Sequence, residues 1–171
     1  MGIETLRPNA NGDIIEWSPS PGAPVENWEN VDEAVADDDT TDCYKAGEPT
    51  SAKDLYHITN TALTTEIINK ITLYIRWKRY SATYFKAYYG IKTEATEYWG
   101  DIVETEVTFG NNSKEYALNP NTSNPWTLAQ LNALQIGVYV DGADQGGKIT
   151  QIYVEVDYSP AAGRSFGFII G

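Results

Sequence analysis

At 171 residues the chain suits one domain, and its single cysteine excludes an intrachain disulfide and a zinc centre built from several cysteines. Its 24 acidic against 12 basic residues leave a formal net charge of −12, a field that repels phosphate backbones and argues against nucleic-acid binding. No apolar run approaches the roughly 20 residues needed to span a bilayer, and Met1 to Pro8 lack the basic start and apolar stretch of a secretory signal.

Residues 1–12 read as an N-terminal arm carrying Ile3 and Leu6 and punctuated by Pro8, Asn9, Asn11 and Gly12. Ile14, Ile15 and Trp17 make a short strand, stopped by the proline-rich turn at 18–22. Segment 26–39 is strongly acidic. Trp28, Val31 and Val35 permit one helical turn in what otherwise reads as a surface loop pinned by Trp28. Residues 40–46 and 55–58 read as strands around a turn at 47–51.

Ile71, Leu73, Ile75 and Trp77 then alternate with Thr72, Tyr74, Arg76 and Lys78. Phe85, Ala87, Tyr89 and Ile91 alternate with Tyr84, Lys86 and Tyr88. A period of two marks strands with one buried and one wet face. Taken as a pair, these two strands would gather Tyr74, Arg76, Tyr84, Lys86 and Tyr88 on one polar face. Residues 94–100 read as a turn, 103–109 as a strand, and 110–113 as a hairpin turn, after which Tyr116 and Leu118 continue the alternation. Thr127 and Gln130 form a capping-box pattern, which predicts a short helix over 128–133.

Leu134, Ile136, Val138 and Val140, then Ile152, Val154, Val156 and Tyr158, alternate on either side of a glycine-rich stretch at 142–147. This pattern predicts a hairpin at the centre of the fold. Parallel strands covered on both faces would read as continuous apolar runs, so the alternation indicates an antiparallel sheet. About eight short strands bounded by Gly, Pro and Asn clusters predict an all-β, antiparallel two-sheet sandwich of jelly-roll-like type. The expected organisation is an arm at 1–12, a sandwich at 13–158 and an apolar C-terminal tail at 159–171.

Four features are candidate sites. Asp32, Asp37, Asp38 and Asp39, with Asn30, offer oxygen ligands for calcium, although their spacing does not match an EF-hand loop. Glu104 and Glu106 share one strand face at about 7 Å, which any strand geometry gives, and nothing else converges on them as a glycosidase needs. Cys43 reads as a small buried hydrophobe and His57 has no adjacent catalytic partner, so no enzyme is expected. The polar face with Tyr74, Arg76, Tyr84 and Tyr88 suits either a subunit interface or sugar stacking. The tail, with Phe166, Phe168, Ile169 and Ile170, and the arm, with Ile3 and Leu6, are apolar segments expected to dock on another subunit.

Segments 4–13 (ETLRPNANGD), 27–41 (NWENVDEAVADDDTT), 125–138 (PWTLAQLNALQIGV) and 151–158 (QIYVEVDY) resemble a recurring β-sandwich type in virion genes of tailed phages and metagenomes. The likeness spans most of the chain and carries no catalytic signature. It implies a non-enzymatic virion structural protein, a capsid decoration or appendage subunit at the virion surface. The expected partners are further copies of the chain, with a trimer as the candidate state, and a capsid or filament protein. The rival expectation is a carbohydrate-binding module that uses exposed aromatic residues on a glycan.

Overall fold

Strands form where β-branched and aromatic residues alternate with polar ones. The computed structural model describes residues 1–48, 51–79, 86–100, 103–104, 106–141 and 145–161. Tyr84, Phe166, Phe168, Ile169 and Ile170 therefore lie outside the described residues. The elements in chain order are β1 (Gly2–Leu6), β2 (Pro8–Ile15), β3 (Ser18–Pro19), β4 (Cys43–Glu48), β5 (Ala52–Ile58) and β6 (Ile67–Arg79). They continue with β7 (Lys86–Thr93), β8 (Thr96–Trp99), β9 (Val103–Glu104), β10 (Gly110–Tyr116), α1 (Leu128–Asn132), β11 (Gln135–Val140) and β12 (Gln145–Ser159).

The strands make two antiparallel sheets. The first runs β10-β6-β12-β4-β3, with β1 also bonded to β12; the second runs β2-β5-β11-β7-β8, with β9 also on β7. The inner face of the first sheet presents Ile71, Leu73, Ile75 and Trp77 from β6 and Ile149, Ile152, Val154 and Val156 from β12. The second answers with Tyr56, Ile58, Ile136, Val138, Val140, Ala87, Tyr89 and Ile91. Trp77 and Tyr89 meet edge to face between the layers, ring centroids 5.7 Å apart. Each large apolar side chain enclosed in this way contributes about 1.5–3 kcal/mol.

The expected hairpin of residues 134–140 and 149–158 is not formed. β11 bonds to β5 and β7 in one sheet, whereas β12 bonds to β6, β4 and β1 in the other. A period of two says which side chains turn inward, and it reads the same for two strands side by side as for two strands facing each other across a core. The same degeneracy undoes the expected pairing of residues 71–77 with 84–91. β6 and β7 occupy different sheets, so Tyr74 and Arg76 face away from Tyr88.

Two further expectations change. Residues 110–113 are not a turn but the start of β10, which runs beside β6 from Gly110 opposite Trp77 to Tyr116 opposite Ile71. A tertiary bond fixes this register, since Trp77 Nε1 donates to Asn112 Oδ1 at 2.7 Å. The N-terminal arm is also built into the body. β1 pairs with β12 over its whole length, and Leu6 is buried in the core, so it is not available to a second subunit. Ile3 remains exposed. The predicted helix is present as α1, and Thr127 and Gln130 cap it reciprocally.

One buried carboxyl pins the loops to the sandwich. Asp54 Oδ1 accepts from the backbone N–H groups of Glu16 at 2.8 Å and Trp17 at 3.0 Å. Its Oδ2 accepts from Asn27 Nδ2 at 2.6 Å and from the Tyr56 hydroxyl at 2.8 Å. These donors satisfy a group that would otherwise be costly to bury.

Close backbone approach sets one glycine in the middle of β11. A Cβ on Gly137 would lie 2.1 Å from the Asp54 carbonyl oxygen and 2.8 Å from Leu55 Cδ2. Gly137→Ala is therefore expected to lower the unfolding free energy by about 1–3 kcal/mol. Gly110→Ala, in open space, is expected to change it by less than about 0.5 kcal/mol. Urea unfolding of both variants checks this, and equal stabilities would contradict the packing described.

Candidate functional site

With the inner faces closed, the chemistry on offer lies on the two outer faces. On the second sheet, register brings Tyr139 of β11 between Lys53 of β5 and Tyr88 of β7. One row along, Gly137 lies opposite Gly90 of β7, and Gly90 lies opposite Trp99 of β8. The two glycines remove the side chains that would separate the rings. Tyr88 and Tyr139 stack with centroids 5.3 Å apart and planes 23° apart. Trp99 lies 5.6 Å from Tyr139 at a 42° tilt. All three side chains are half-buried, so the sheet displays a continuous row of three rings.

Polar groups hold this row in place. Lys53 Nζ sits 5.3 Å from the Tyr139 ring and 5.8 Å from the Trp99 ring, within cation–π range. Glu97 accepts from Lys53 Nζ at 2.7 Å and from Trp99 Nε1 at 3.1 Å. Burial pushes the Glu97 carboxyl up, but the bonds from Lys53 and Trp99 outweigh it, and its pKa ends below the ordinary value. The next row sets Gln135 between His57 and Lys92. There Asp13 accepts from Lys92 at 2.5 Å and from Gln135 at 2.9 Å, and the Lys92 bond first, then Gln135, lowers the Asp13 pKa.

The outer face of the first sheet carries Tyr74 and Arg76. Tyr74 stacks on Tyr153 of β12, centroids 5.0 Å apart and planes 15° apart. Arg7 lies over the Tyr153 ring at 4.9 Å. Burial, with Glu155 close by, raises the Tyr74 phenol.

The acidic loop folds onto this same face as counter-charge. Asp38 takes Arg76 in a two-pronged bond, Nε to Oδ1 at 2.6 Å and Nη2 to Oδ2 at 2.8 Å. Asp39 accepts from Lys78 Nζ at 2.6 Å, and Asp37 accepts from the Thr41 and Thr150 hydroxyls. Burial raises the Asp32 carboxyl. Three of the four aspartates read as calcium ligands, Asp37, Asp38 and Asp39, are thus directed to different partners. Among the described residues, no group of three or more His, Cys, Asp or Glu side chains gathers as a metal would require.

The remaining candidates stay apart. The Cys43 thiol is buried, donates to the Asn27 carbonyl at 3.2 Å, and is pushed up by that burial. Glu106 is largely exposed with Arg79 at 3.9 Å, and Glu104 sits in the short strand β9 opposite Lys86. Lys53, Trp99 and Tyr139 were not singled out from sequence. Residues 94–100 carry turn-forming signals that hide β8, and Tyr139 reads as an ordinary member of a polar face. The one available signal was the pair of in-strand glycines, Gly90 and Gly137, which mark close approach of a ligand or of another backbone.

No protein-family model matches the chain, and no curated protein matches it. Solved structures do. The carbohydrate-binding family 22 and glycoside-hydrolase family 10 modules of a Clostridium thermocellum endo-1,4-β-D-xylanase, complexed with xylohexaose, match at TM-score 0.50 and 8% identity, over 92% of this chain and 30% of that one. A xylan-binding family 22 module from Paenibacillus barcinonensis matches at 0.47 and 7%, over 91% of this chain and 94% of that one. An enzymatically active tailspike domain of bacteriophage CBA120 matches at 0.47 and 12%, over 91% and 19%. At such identities the likeness is one of fold. The chain is a jelly-roll β-sandwich, as expected from sequence, and the solved structures similar to it include carbohydrate-binding modules and a phage tailspike domain.

The Asp38–Arg76 bond has a pH signature. Arg76 lowers the Asp38 carboxyl below its ordinary 3.8, so the bond stabilises the fold at neutral pH and is lost as the pH falls through the lowered value. The pair is partly exposed, which limits its worth to about 0.2–1 kcal/mol. Asp38→Asn is expected to melt below the wild type at neutral pH and together with it well below pH 3.8. Thermal melts at the two pH values check this; an undiminished gap in acid would contradict it.

Proposed function

We propose that this protein is a carbohydrate-binding β-sandwich module whose ligand is a neutral polysaccharide, held on the outer face of the second sheet. The observation that carries the reading is the row Tyr88, Tyr139 and Trp99 on a lane floored by Gly90 and Gly137. A pyranose ring has flat C–H faces and a rim of hydroxyls. Aromatic side chains match the first with large, rigid area at low entropic cost, and Lys53 and Glu97 border the row with groups able to bond the second. The net charge of −12 disfavours acidic glycans.

The fold supports this reading to the extent that it matches 30% of a two-module xylanase structure that was solved in complex with xylohexaose. Of the two expectations drawn from sequence, the geometry favours glycan binding over virion assembly. The assembly reading leaned on loose apolar arms, and β1 is bonded into its own sheet with Leu6 inside.

Affinity electrophoresis through gels containing xylan, β-glucan or mannan tests the proposal. The wild type is expected to be retarded by at least one of them. Trp99→Ala and Tyr139→Ala are each expected to weaken that binding by about tenfold or more, as loss of a central aromatic anchor does. Unchanged migration of the wild type in every neutral gel would overturn the reading.

A further inference from the structure

The opposite face holds a recess that the row of three rings does not use. It encloses about 300 Å³ and is lined by Tyr74, Asn111, Asn112, Ser113, Gln151 and Tyr153, at the small end of the range for small-molecule sites. β12 lies between β6 and β1 in the first sheet, so Tyr74 covers Tyr153 from one side and Arg7 from the other. Tyr153 thus has a ring contact on one flank and a guanidinium on the other. Tyr74 lines the recess from the flank toward β10, where Ser113 stands opposite it.

The polar lining is oriented by bonds outside the recess. Asn111 Oδ1 accepts from Arg76 Nη1 at 3.2 Å. Asn112 Oδ1 accepts from Trp77 Nε1 at 2.7 Å. Gln151 Nε2 donates to the Glu33 carbonyl at 2.7 Å. One end of each amide is thereby fixed. Asn112 stands opposite the inward-facing Ile75 and turns its side chain toward the core; among the described residues, nothing bonds to the other ends of Asn111 and Gln151, an NH2 donor and a carbonyl acceptor. The Ser113 hydroxyl adds a group that both donates and accepts. A ring face beside a fixed donor and a fixed acceptor is the complement of a sugar's C–H face and its adjacent hydroxyls.

From this arrangement we infer that the recess is a second glycan site, taking one neutral pyranose unit on Tyr74 with its hydroxyls on Asn111, Ser113 and Gln151. Arg76, the cation at the rim, is already held by Asp38, so a sugar carboxylate or sulfate would have to displace Asp38 to pair with it. The inference shares the glycan class of the proposed function but not its residues. One molecule with sites on opposite faces engages two polysaccharide chains, or two segments of one chain, and gains avidity from the linkage.

Amide chemical-shift mapping with xylohexaose, cellohexaose and mannohexaose tests it. In Tyr139→Ala, saturable shifts are expected at residues 72–76, 111–113 and 151–153. Tyr74→Ala is expected to weaken those shifts by about tenfold or more while leaving residues 88, 97–99 and 135–139 responsive. Tyr74→Phe is expected to keep the affinity within about twofold, because it keeps the ring; equal loss in the Phe and Ala variants would overturn the stacking role. Shifts confined to the second sheet in the wild type would overturn the second site and leave the proposed function standing. Shifts confined to the first sheet would do the reverse. Silence on both faces with all three sugars would overturn both.

Discussion

Closure of two sheets over one shared apolar layer governs the rest of this molecule. β6 and β12 turn Ile, Leu, Val and Trp side chains inward against β5, β11 and β7. Because strand side chains alternate, each inward residue sends its neighbour outward. The outer rows are thus dictated by the core. Tyr139 stands beside Tyr88 because Val138 and Val140 must meet Tyr89 and Ala87 in register on the other side. A one-residue slip of β11 would bury Tyr139 and expose two valines, which the core does not tolerate. The same logic holds Tyr74 against Tyr153, since Leu73 and Ile75 lie opposite Val154 and Ile152.

This dependence explains what was legible in the sequence and what was not. Alternation identifies the inward residues of the central strands: Ile71, Leu73, Ile75, Ile136, Val138, Val140, Ile152, Val154 and Val156 are all buried, whereas Val107 and Leu118, where it was also expected, are exposed. The capping box at Thr127 is a contact between residues three apart, so it too can be read locally. Sheet membership is not local. The strands on either side of the 142–147 stretch look like a hairpin in sequence, and only packing of the whole chain sends them to opposite layers. Residues 110–113 favour a turn by composition, yet the bond from Trp77 to Asn112 and the edge of β6 draw them into a strand. The ring row was missed for the same reason, since its members come from β7, β8 and β11 and meet only through two glycines on different strands.

The acidic segment shows how composition misleads when partners are distant. Three consecutive aspartates suggest a cation trap, but Arg76 and Lys78 lie 38 and 39 positions from the residues that bind them. Folded over β6, the loop neutralises a strip of basic side chains that strand alternation forces outward. Asp42 does the same for Lys148 from a fully buried position. Much of the apparent charge of the chain is thus internal, paired to its own cations.

Pairing of this kind also shapes what either outer face can select. Lys53, Lys92, Arg76 and Lys78 each have an acidic partner within 3 Å. An incoming anion would have to displace a partner that is already close and partly shielded from solvent. It would also approach against a net charge of −12, a repulsion that salt screens beyond about 8 Å but does not reverse. An uncharged ligand meets neither obstacle. What remains to hold it is ring area and hydroxyl-to-amide bonding, interactions that depend little on ionic strength. The faces are thus biased toward neutral sugars by the same ion pairs that stabilise the loops around them.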